Sequence, residues 1–254
     1  CTIQANDADG LGDGMYISGG TANIIDCTFG ASAVSGGEAV YAYGSGANFT
    51  ETTIDNQGGN RSGAILELCS TTWTNCNITN CNNTGLIITN SIADQFLGCT
   101  FSNNAANYGG GIYCEGGVTG APILAGCIFN NNTASQDGGG IYCTAGSSPA
   151  ITGCTITFNS AAWGGGISCD SDSSPTISVC TISGNTAGDD GGGVFCSDSS
   201  SPTITDCTIS DNTAVWGGGI GSRSSSNPTI SGCIISGNTA AGIGGGIYCD
   251  ESSP

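Results

Sequence analysis

The stretch Gly164–Asn185, GGGISCDSDSSPTISVCTISGN, decides the fold because it holds every motif of a unit that recurs along the chain. It opens with a glycine triplet and a short run ending in Cys, passes through Ser-Ser-Pro to a second run, and closes on Cys-Thr-Ile and Asn. Each run alternates apolar and polar residues, which is typical of a β-strand. The Gly, Pro, Ser and Asn between the runs are turn residues. The unit therefore predicts three short strands separated by three turns.

The glycine-triplet motif returns every 26–29 residues through the second half of the chain. Its copies are Gly109–Cys114, Gly138–Cys143, Gly164–Cys169, Gly191–Cys196, Gly217–Ser222 and Gly244–Cys249. Residues 1–98 carry the same pattern in degraded form, and residues 99–254 carry it regularly. The repeats run on without a linker, so residues 1–254 are predicted to form a single domain of about ten rungs of 23–29 residues. Because the chain begins and ends inside a repeat, we expect it to be a segment of a longer protein.

These repeats predict an all-β, right-handed parallel β-helix (a solenoid) with three strands per rung. Each strand would pair in parallel with the same strand one rung later, about 4.8 Å away. A single rung buries nothing alone, so stability would come from the stack. Gly makes up 45 of 254 residues and charged residues are only 9 %, which argues against helices with paired surface charges.

Alternation within the strands points Cys and Ile toward the core. One predicted cysteine ladder contains Cys1, Cys27, Cys76, Cys99, Cys127, Cys154, Cys180, Cys207 and Cys233. A second contains Cys114, Cys143, Cys169, Cys196 and Cys249, interrupted by Ser222, while Cys69 and Cys81 belong to neither. Two alternatives stay open: thiols packed as small apolar groups, or disulfides linking the ladders across a corner. Metal binding is disfavoured, since the chain has no His and no CxxC motif.

An asparagine follows the third strand of each regular rung and is predicted to form an asparagine ladder between rungs. Its members are Asn132, Asn159, Asn185, Asn212 and Asn238. We expect these residues to adopt the left-handed backbone conformation, which Asn tolerates.

Charge excludes several classes of function. The net charge is −18, with 20 Asp and Glu against 2 Arg and no Lys or His. A nucleic-acid binder needs a basic face, and a transmembrane helix needs a long apolar run that is missing here. Without His or Lys, most general bases and every Ser-His-Asp arrangement are lost, so the sequence predicts no catalytic residues and no enzyme. No cofactor is expected, although calcium is a weak possibility at the turn carboxylates Asp170, Asp172, Asp189 and Asp190.

Two surface features suggest binding. Tyr108, Trp163 and Trp216 immediately precede glycine triplets and would form a sparse aromatic row able to contact sugars or a partner protein. Outward Thr and Ser rows, such as Thr176/Ser178 and Thr203/Thr205, are similar to ice-binding surfaces, although Thr is also a common outward strand residue.

The pairing of Gly110-Gly111-Ile112 and its copies with Phe101-x-x-Asn104 and Phe129-x-x-Asn132 resembles the repeats of polymorphic outer-membrane proteins. Such repeats occur in large bacterial and archaeal surface proteins. The resemblance implies the fold, while the uniform repetition without any catalytic group of residues leads us to expect a non-catalytic, extracellular rod at the cell surface, as part of an adhesin or filament. Its partners would be flanking domains, further copies, glycans or a host or neighbouring cell. A glycan-binding or glycan-processing β-helix is the alternative, and an ice-binding protein is a minor one.

Overall fold

The computed structural model describes residues 1–4, 6, 11–30, 38–56, 61–116 and 120–252. All regular structure in these residues is β-strand, arranged in four parallel sheets. Nine consecutive rungs each contribute one strand to sheets 1, 2 and 3, and part-rungs lie before and after them. The structure is therefore a parallel β-solenoid, as the repeat predicted.

Sheet 1 holds the strand that follows the glycine triplet in the regular rungs, together with the matching strand of each earlier rung. Its strands are Met15–Ser18, Val40–Tyr43, Ala64–Glu67, Leu86–Thr89, Ile112–Glu115, Ile141–Thr144, Ile167–Cys169, Val194–Cys196, Ile220–Ser222 and Ile247–Cys249. Sheet 2 holds the strand that follows Ser-Ser-Pro. Its strands are Asn23–Ile25, Asn48–Thr50, Thr72–Thr74, Gln95–Leu97, Ile123–Ala125, Ala150–Thr152, Thr176–Ser178, Thr203–Thr205 and Thr229–Ser231.

Sheet 3 holds the strand that follows the first cysteine ladder. Its strands are Thr2–Ile3, Thr28–Phe29, Thr53–Asp55, Asn77–Thr79, Thr100–Ser102, Ile128–Asn130, Thr155–Thr157, Thr181–Ser183, Thr208–Ser210 and Ile234–Ser236.

A fourth sheet was missed by the sequence reading. Its two-residue strands follow the asparagine ladder: Ala105–Ala106, Thr133–Ala134, Ser160–Ala161, Thr186–Ala187, Thr213–Ala214 and Thr239–Ala240. These segments are too short to show the alternation that identifies a strand, and backbone pairing with the next rung creates them.

The sheets pair like residue with like residue along the stack. Cys143 aligns with Cys114 on one side and with Cys169 on the other, and Ile177 aligns with Ile151. One spacing falls below the predicted range: Ala64 pairs with Leu86, which is 86 − 64 = 22 residues later. The strand register is unaffected by this shorter repeat, so the difference in repeat length lies in the turns at the corners.

The glycine triplet turns the chain into sheet 1 and brings neighbouring backbones close together. Gly164 has a φ of +62°, a conformation that side chains disfavour. A Cβ at Gly165 would lie 2.5 Å from the Thr186 carbonyl oxygen and 2.6 Å from that of Gly192. The first glycine is thus needed for its φ, and the second for the contact between rungs.

The left-handed conformation expected for the ladder asparagines was wrong. Positive φ occurs instead at the residue before each of them, for example at Asn131, Phe158 and Asp211. The preceding residue turns the corner, and this leaves the ladder asparagine free to point its amide into the stack.

The core runs along the interior as one continuous apolar cluster. The predicted inward residues are buried, among them Ile112, Cys114, Ile182 and Ile204. Ile247, also predicted to point inward, is 38 % exposed because its strand has a neighbour on one side only.

A candidate binding face on sheet 1

The first cysteine ladder lies at the corner between sheets 2 and 3 and is hydrogen-bonded to the backbone. The Cys154 thiol donates to the Leu124 carbonyl one rung earlier, at 3.3 Å, and to the Thr152 carbonyl two residues earlier, at 3.5 Å. Thr52 occupies the same column and makes the same two kinds of bond, to the carbonyls of Ile24 and Thr50. The column therefore selects a small side chain with one hydrogen-bond donor.

The second cysteine ladder runs through sheet 1 and is fully buried from Cys114 to Cys196. All sixteen cysteines are free thiols in the structure. Sulfur contact with Cys143, followed by burial, raises the pKa of the Cys114 thiol well above its usual value. Such thiols resist ionisation and pack as small apolar groups, the first of the two sequence alternatives.

Cys69 and Cys81, which fit neither ladder, belong to two other columns. Cys69 lies in a buried column at the corner between sheets 1 and 2, and its sulfur is 3.8 Å from the Ser45 hydroxyl. Later rungs fill that column with the first serine of each Ser-Ser-Pro motif, such as Ser173. Cys81 stands in the asparagine column, where its backbone N–H donates to Asn104 Oδ1 at 3.0 Å.

Hydrogen bonds join successive asparagines of the ladder, and they run in one direction along the stack. Asn185 Oδ1 accepts from both the backbone N–H and the Nδ2 of Asn159, at 2.9 and 3.0 Å. Asn185 Nδ2 donates to Asn212 Oδ1 and to the Ile156 carbonyl. The same pattern joins Asn132 to Asn159 and Asn212 to Asn238. The ladder therefore satisfies its own buried amides, as a structural role requires.

The four calcium candidates are not gathered into one site. Asp170 and Asp172 lie in the turn after sheet 1, whereas Asp189 and Asp190 precede the glycine triplet of the next rung. Among the residues that the structure describes, no group of three or more Asp, Glu, Cys or His side chains is arranged to hold a metal ion. Asp190 is instead buried against Arg223, whose Nη1 lies 3.0 Å from Asp190 Oδ2.

The predicted aromatic row is in register. The residue before each glycine triplet aligns with its counterparts through backbone hydrogen bonds and bridges, which pair Asp137 with Trp163 and Asp190 with Trp216. The full column is Tyr108, Asp137, Trp163, Asp190, Trp216 and Ile243, so aromatic and acidic residues alternate.

This column flanks the outer surface of sheet 1. The Tyr108 ring stacks on Tyr142 at 5.5 Å, and Tyr113 contacts Tyr142 at the same separation. Tyr142 and Phe195 point away from the core, yet each is only 6 % exposed. The sequence carries a signal for this covered surface: aromatic residues occur both before the triplet and at the outward position of the strand that follows it. We call this surface the sheet 1 face.

The surroundings of two carboxyl groups on the sheet 1 face raise their pKa values. Burial raises the pKa of Asp137 to about 6, despite a hydrogen bond from Ser168 Oγ at 3.1 Å, and the nearby charge of Asp170 adds to the rise. Burial also raises the pKa of Asp190 to about 6, against the opposing effect of Arg223. Asp170 accepts hydrogen bonds from the Tyr142 hydroxyl and from Ser197 Oγ, both at 3.1 Å. The sheet 1 face therefore combines aromatic rings with carboxylates that are partly shielded from water.

A pocket of about 250 Å³ opens at the part of this face nearest Tyr108. Its lining residues are Asn83, Thr84, Ile87, Asn107, Tyr108 and Tyr113. Two tyrosine rings beside amide and hydroxyl groups can contact both the apolar and the polar sides of a small ligand.

The Thr and Ser rows of sheets 2 and 3 are aligned between rungs, as the ice-binding hypothesis needs. Several of the hydroxyls bond each other, such as Ser178 Oγ to Thr152 Oγ1 at 3.2 Å. Val179 and Phe158, at opposite ends of sheet 3 strands, are 63 % and 65 % exposed and flank the array. Ice binding stays an untested prediction.

In the part of the chain that the structure describes, no helix is long and apolar enough to cross a membrane. A family model described as "right handed beta helix region" matches residues 1–134 and, in an overlapping second match, residues 111–254. Searches of curated proteins and of solved structures each found no significant match. The winding of the solenoid is thereby right-handed, as predicted, and the finer resemblance to polymorphic outer-membrane proteins stays a prediction.

Proposed function

Because the chain belongs to the right-handed β-helix family, we propose that it is a non-catalytic, rod-shaped segment of an extracellular surface protein with a structural or adhesive role. One observation carries this proposal: nine consecutive rungs stack in a single register around one continuous core. Because the rungs repeat, each one plays the same structural role: it lengthens the stack and exposes its outer faces.

The charge distribution supports the same role. Both arginines of the chain are engaged with carboxylates, Arg61 with Glu38 and Arg223 with Asp190. With no Lys or His, the chain offers few of the groups that act as general bases or balance an acidic substrate. A net charge of −18 keeps such a rod soluble and limits its self-association to specific contacts.

The location can be tested with antibodies raised against residues 99–252 and gold labelling of cells of the source organism. We expect gold on the outer surface of unpermeabilised cells. Labelling that appears only after permeabilisation would overturn the extracellular role. Negative-stain microscopy of the same material would separate single rods from filaments.

Glycan binding is a second candidate, favoured by the pocket beside Tyr108 and Tyr113. Since the rod is acidic, the ligand would be a neutral glycan rather than a polyuronate. A panel of neutral polysaccharides should show binding that Tyr108→Ala weakens about tenfold, the size of effect expected for one lost ring contact. Tyr16→Ala, which removes an exposed ring from another rung of sheet 1, is the control. Release of shortened chains from any of these glycans would contradict the non-catalytic proposal.

A further inference from the structure

The sheet 1 face contains a filled cation site that the chain builds for itself. The guanidinium carbon of Arg223 lies 5.0 Å from the centre of the Trp216 ring and 5.5 Å from that of Tyr248. Its Nη1 is 3.0 Å from Oδ2 of the buried Asp190. Aromatic rings and a carboxylate are the two elements that recognise a guanidinium.

The small residue Gly221 makes room for this arrangement. It occupies the outward position of its sheet 1 strand, where Phe195 stands one rung earlier. A Cβ at Gly221 would lie 2.9 Å from the Gly191 backbone nitrogen and 3.3 Å from the Asp190 Cβ, so a larger side chain there would crowd the backbone turn that carries Asp190. Four elements thus define the site: an acid before the triplet, a Trp one rung later, a small outward residue, and a cation at the end of the strand.

Two rungs earlier the same arrangement recurs without the cation. Asp137 bridges to Trp163 as Asp190 bridges to Trp216. Ser168 takes the small outward position and donates to Asp137 Oδ1, and Phe195 lies in the next strand as Tyr248 does in the later copy. At the position of Arg223, however, the chain has Asp170.

Asp170 thus places a negative charge where the later copy has the positive charge of Arg223. The Asp170 carboxylate is held by the Tyr142 and Ser197 hydroxyls, and its charge is felt at Asp137. At the two positions where the later copy has Asp190 and Arg223, the earlier copy thus has two carboxylates, Asp137 and Asp170, and the ring of Trp163 beside them also donates through Nε1 to Asp189 Oδ2 at 3.2 Å. Both arginines of the chain are paired with other carboxylates, so an arginine at this position would come from another molecule.

We propose that Asp137, Ser168, Asp170 and Trp163 form a docking site for an arginine side chain of a partner protein. The guanidinium would lie over Trp163 and form ion pairs with Asp137 and Asp170, as Arg223 lies over Trp216 and forms an ion pair with Asp190. A guanidinium is favoured over an ammonium because its flat, weakly hydrated group stacks on a ring while donating to two carboxylates. This site is distinct from the pocket at Tyr108, and it does not depend on glycan binding.

The test uses a fluorescent, acetylated and amidated peptide with three arginines separated by glycine pairs. Matched peptides carry citrulline or lysine in place of arginine. Binding is measured by fluorescence anisotropy at physiological salt, where diffuse attraction to the acidic rod is screened. We expect the arginine peptide to bind about tenfold more tightly than either matched peptide. Equal binding of the lysine peptide would overturn the guanidinium site, since it would report general electrostatics.

The decisive variant is Asp170→Arg, which would give the earlier copy the cation that the later copy has. The new arginine should occupy the site and abolish binding of the arginine peptide. Asp172→Arg makes the same change of charge two residues away, at an exposed turn position, and should weaken binding far less. Equal loss in the two variants would overturn the proposal. A third variant, Trp163→Ala, should weaken binding about tenfold without changing the charge, and unchanged binding would also overturn it.

Discussion

Residues 11–98 and 99–252 build the same rung from different side chains. In the later region, sheet 2 points aliphatic residues such as Ile151 and Ile177 into the core. In the earlier region, Phe49, Trp73 and Phe96 occupy that column, all fully buried, and Phe49 stacks on Trp73 at 3.8 Å between ring centres. The extra volume is offset within the rung, since Ala42 accompanies Phe49 in one rung and Ala64 accompanies Trp73 in the next.

The comparison shows that the solenoid conserves the volume and hydrogen bonding of a column rather than its residue. Thr52 replaces Cys in the first cysteine ladder and Cys81 replaces Asn in the asparagine ladder, without loss of register. Asp94 takes the place of Pro before a sheet 2 strand, and its Oδ1 accepts from the Thr71 backbone and hydroxyl. The regular region thus shows what a rung prefers, and the degenerate region shows what it tolerates.

The largest expected effect comes from removing the aromatic core of the earlier region. Trp73→Ala would leave a cavity beside Phe49 and should lower the free energy of unfolding by about 3–5 kcal/mol. A much smaller deletion in the same column of the later region, Ile177→Val, should cost only about 0.5–1.5 kcal/mol. Urea unfolding followed by circular dichroism measures both, with the exposed Thr181→Ala as control. Equal losses for Trp73→Ala and Ile177→Val would show that the aromatic stack carries no special share of the earlier core.

The asparagine ladder offers the next contrast. Asn185→Ala would leave the buried N–H of Asn159 without an acceptor, although Asn159 Nδ2 would keep its bond to the Phe129 carbonyl, and it should cost about 1–3 kcal/mol, the cost of one unsatisfied buried group. Cys81→Asn in the earlier region should cost less than about 1 kcal/mol, because its neighbours Asn56 and Asn104 are themselves asparagines. The same unfolding assay checks both variants. A larger loss for Cys81→Asn than for Asn185→Ala would contradict a ladder that is set by hydrogen bonding.

A substitution at a corner residue should have a smaller effect, and it should stabilise the protein rather than destabilise it. Val179 has a φ of +55° and is exposed, although its counterpart one rung earlier is Gly153, with a φ of +61°. Relieving a left-handed β-branched residue should make Val179→Gly more stable by about 1 kcal/mol. Thr181→Gly, in the strand that follows, should instead destabilise the protein. A melting temperature that falls in Val179→Gly would show that the Val179 side chain contributes more contact than strain.

The smallest effect concerns the sheet 1 face, which carries a Tyr16–Tyr41 stack in the earlier region and carboxylates in the later one. Asp137 has a pKa of about 6 in the folded protein, above the value of about 4 for an unfolded chain. The folded state therefore binds its proton more tightly, and this stabilisation, full below about pH 4, is lost as the pH rises through about 6.

We therefore expect Asp137→Asn to flatten the fall in unfolding free energy between about pH 4 and pH 6 relative to the parent chain. Asp172→Asn removes an exposed carboxylate of the same part of the rod and controls for net charge. Identical pH profiles for the two variants would show that Asp137 is not stabilised in its protonated form.

Much of the fold could be predicted because each repeat of the sequence forms one rung of the stack. Like residues recur where like residues touch, so Cys180, Ile182 and Asn185 were assigned to the interior and to the ladders from spacing alone. The fourth sheet could not be predicted in this way, since segments such as Thr186–Ala187 are too short for alternation to show. The backbone turn was placed one residue too late, because Asn is common in the left-handed region but here serves as a hydrogen-bonding residue.

The candidate site was predicted only in outline. The aromatic row Tyr108, Trp163 and Trp216 follows from spacing, yet its role depends on groups from neighbouring strands. Asp137 meets Ser168, which is 31 residues away, and Arg223 reaches Asp190 across Gly221. A sequence pattern does not show such a meeting, because it depends on side-chain reach between rungs.

The sequence by itself determined most of the rung: three of its strands, its inward ladders, its parallel register and its acidic character. These follow from periodicity and composition, which act locally and repeat. Only the tertiary structure decided which outward residues are covered, which carboxylates become hard to ionise, and where a guanidinium is held. Those properties arise when stacking places side chains of different rungs within contact distance and removes water from between them.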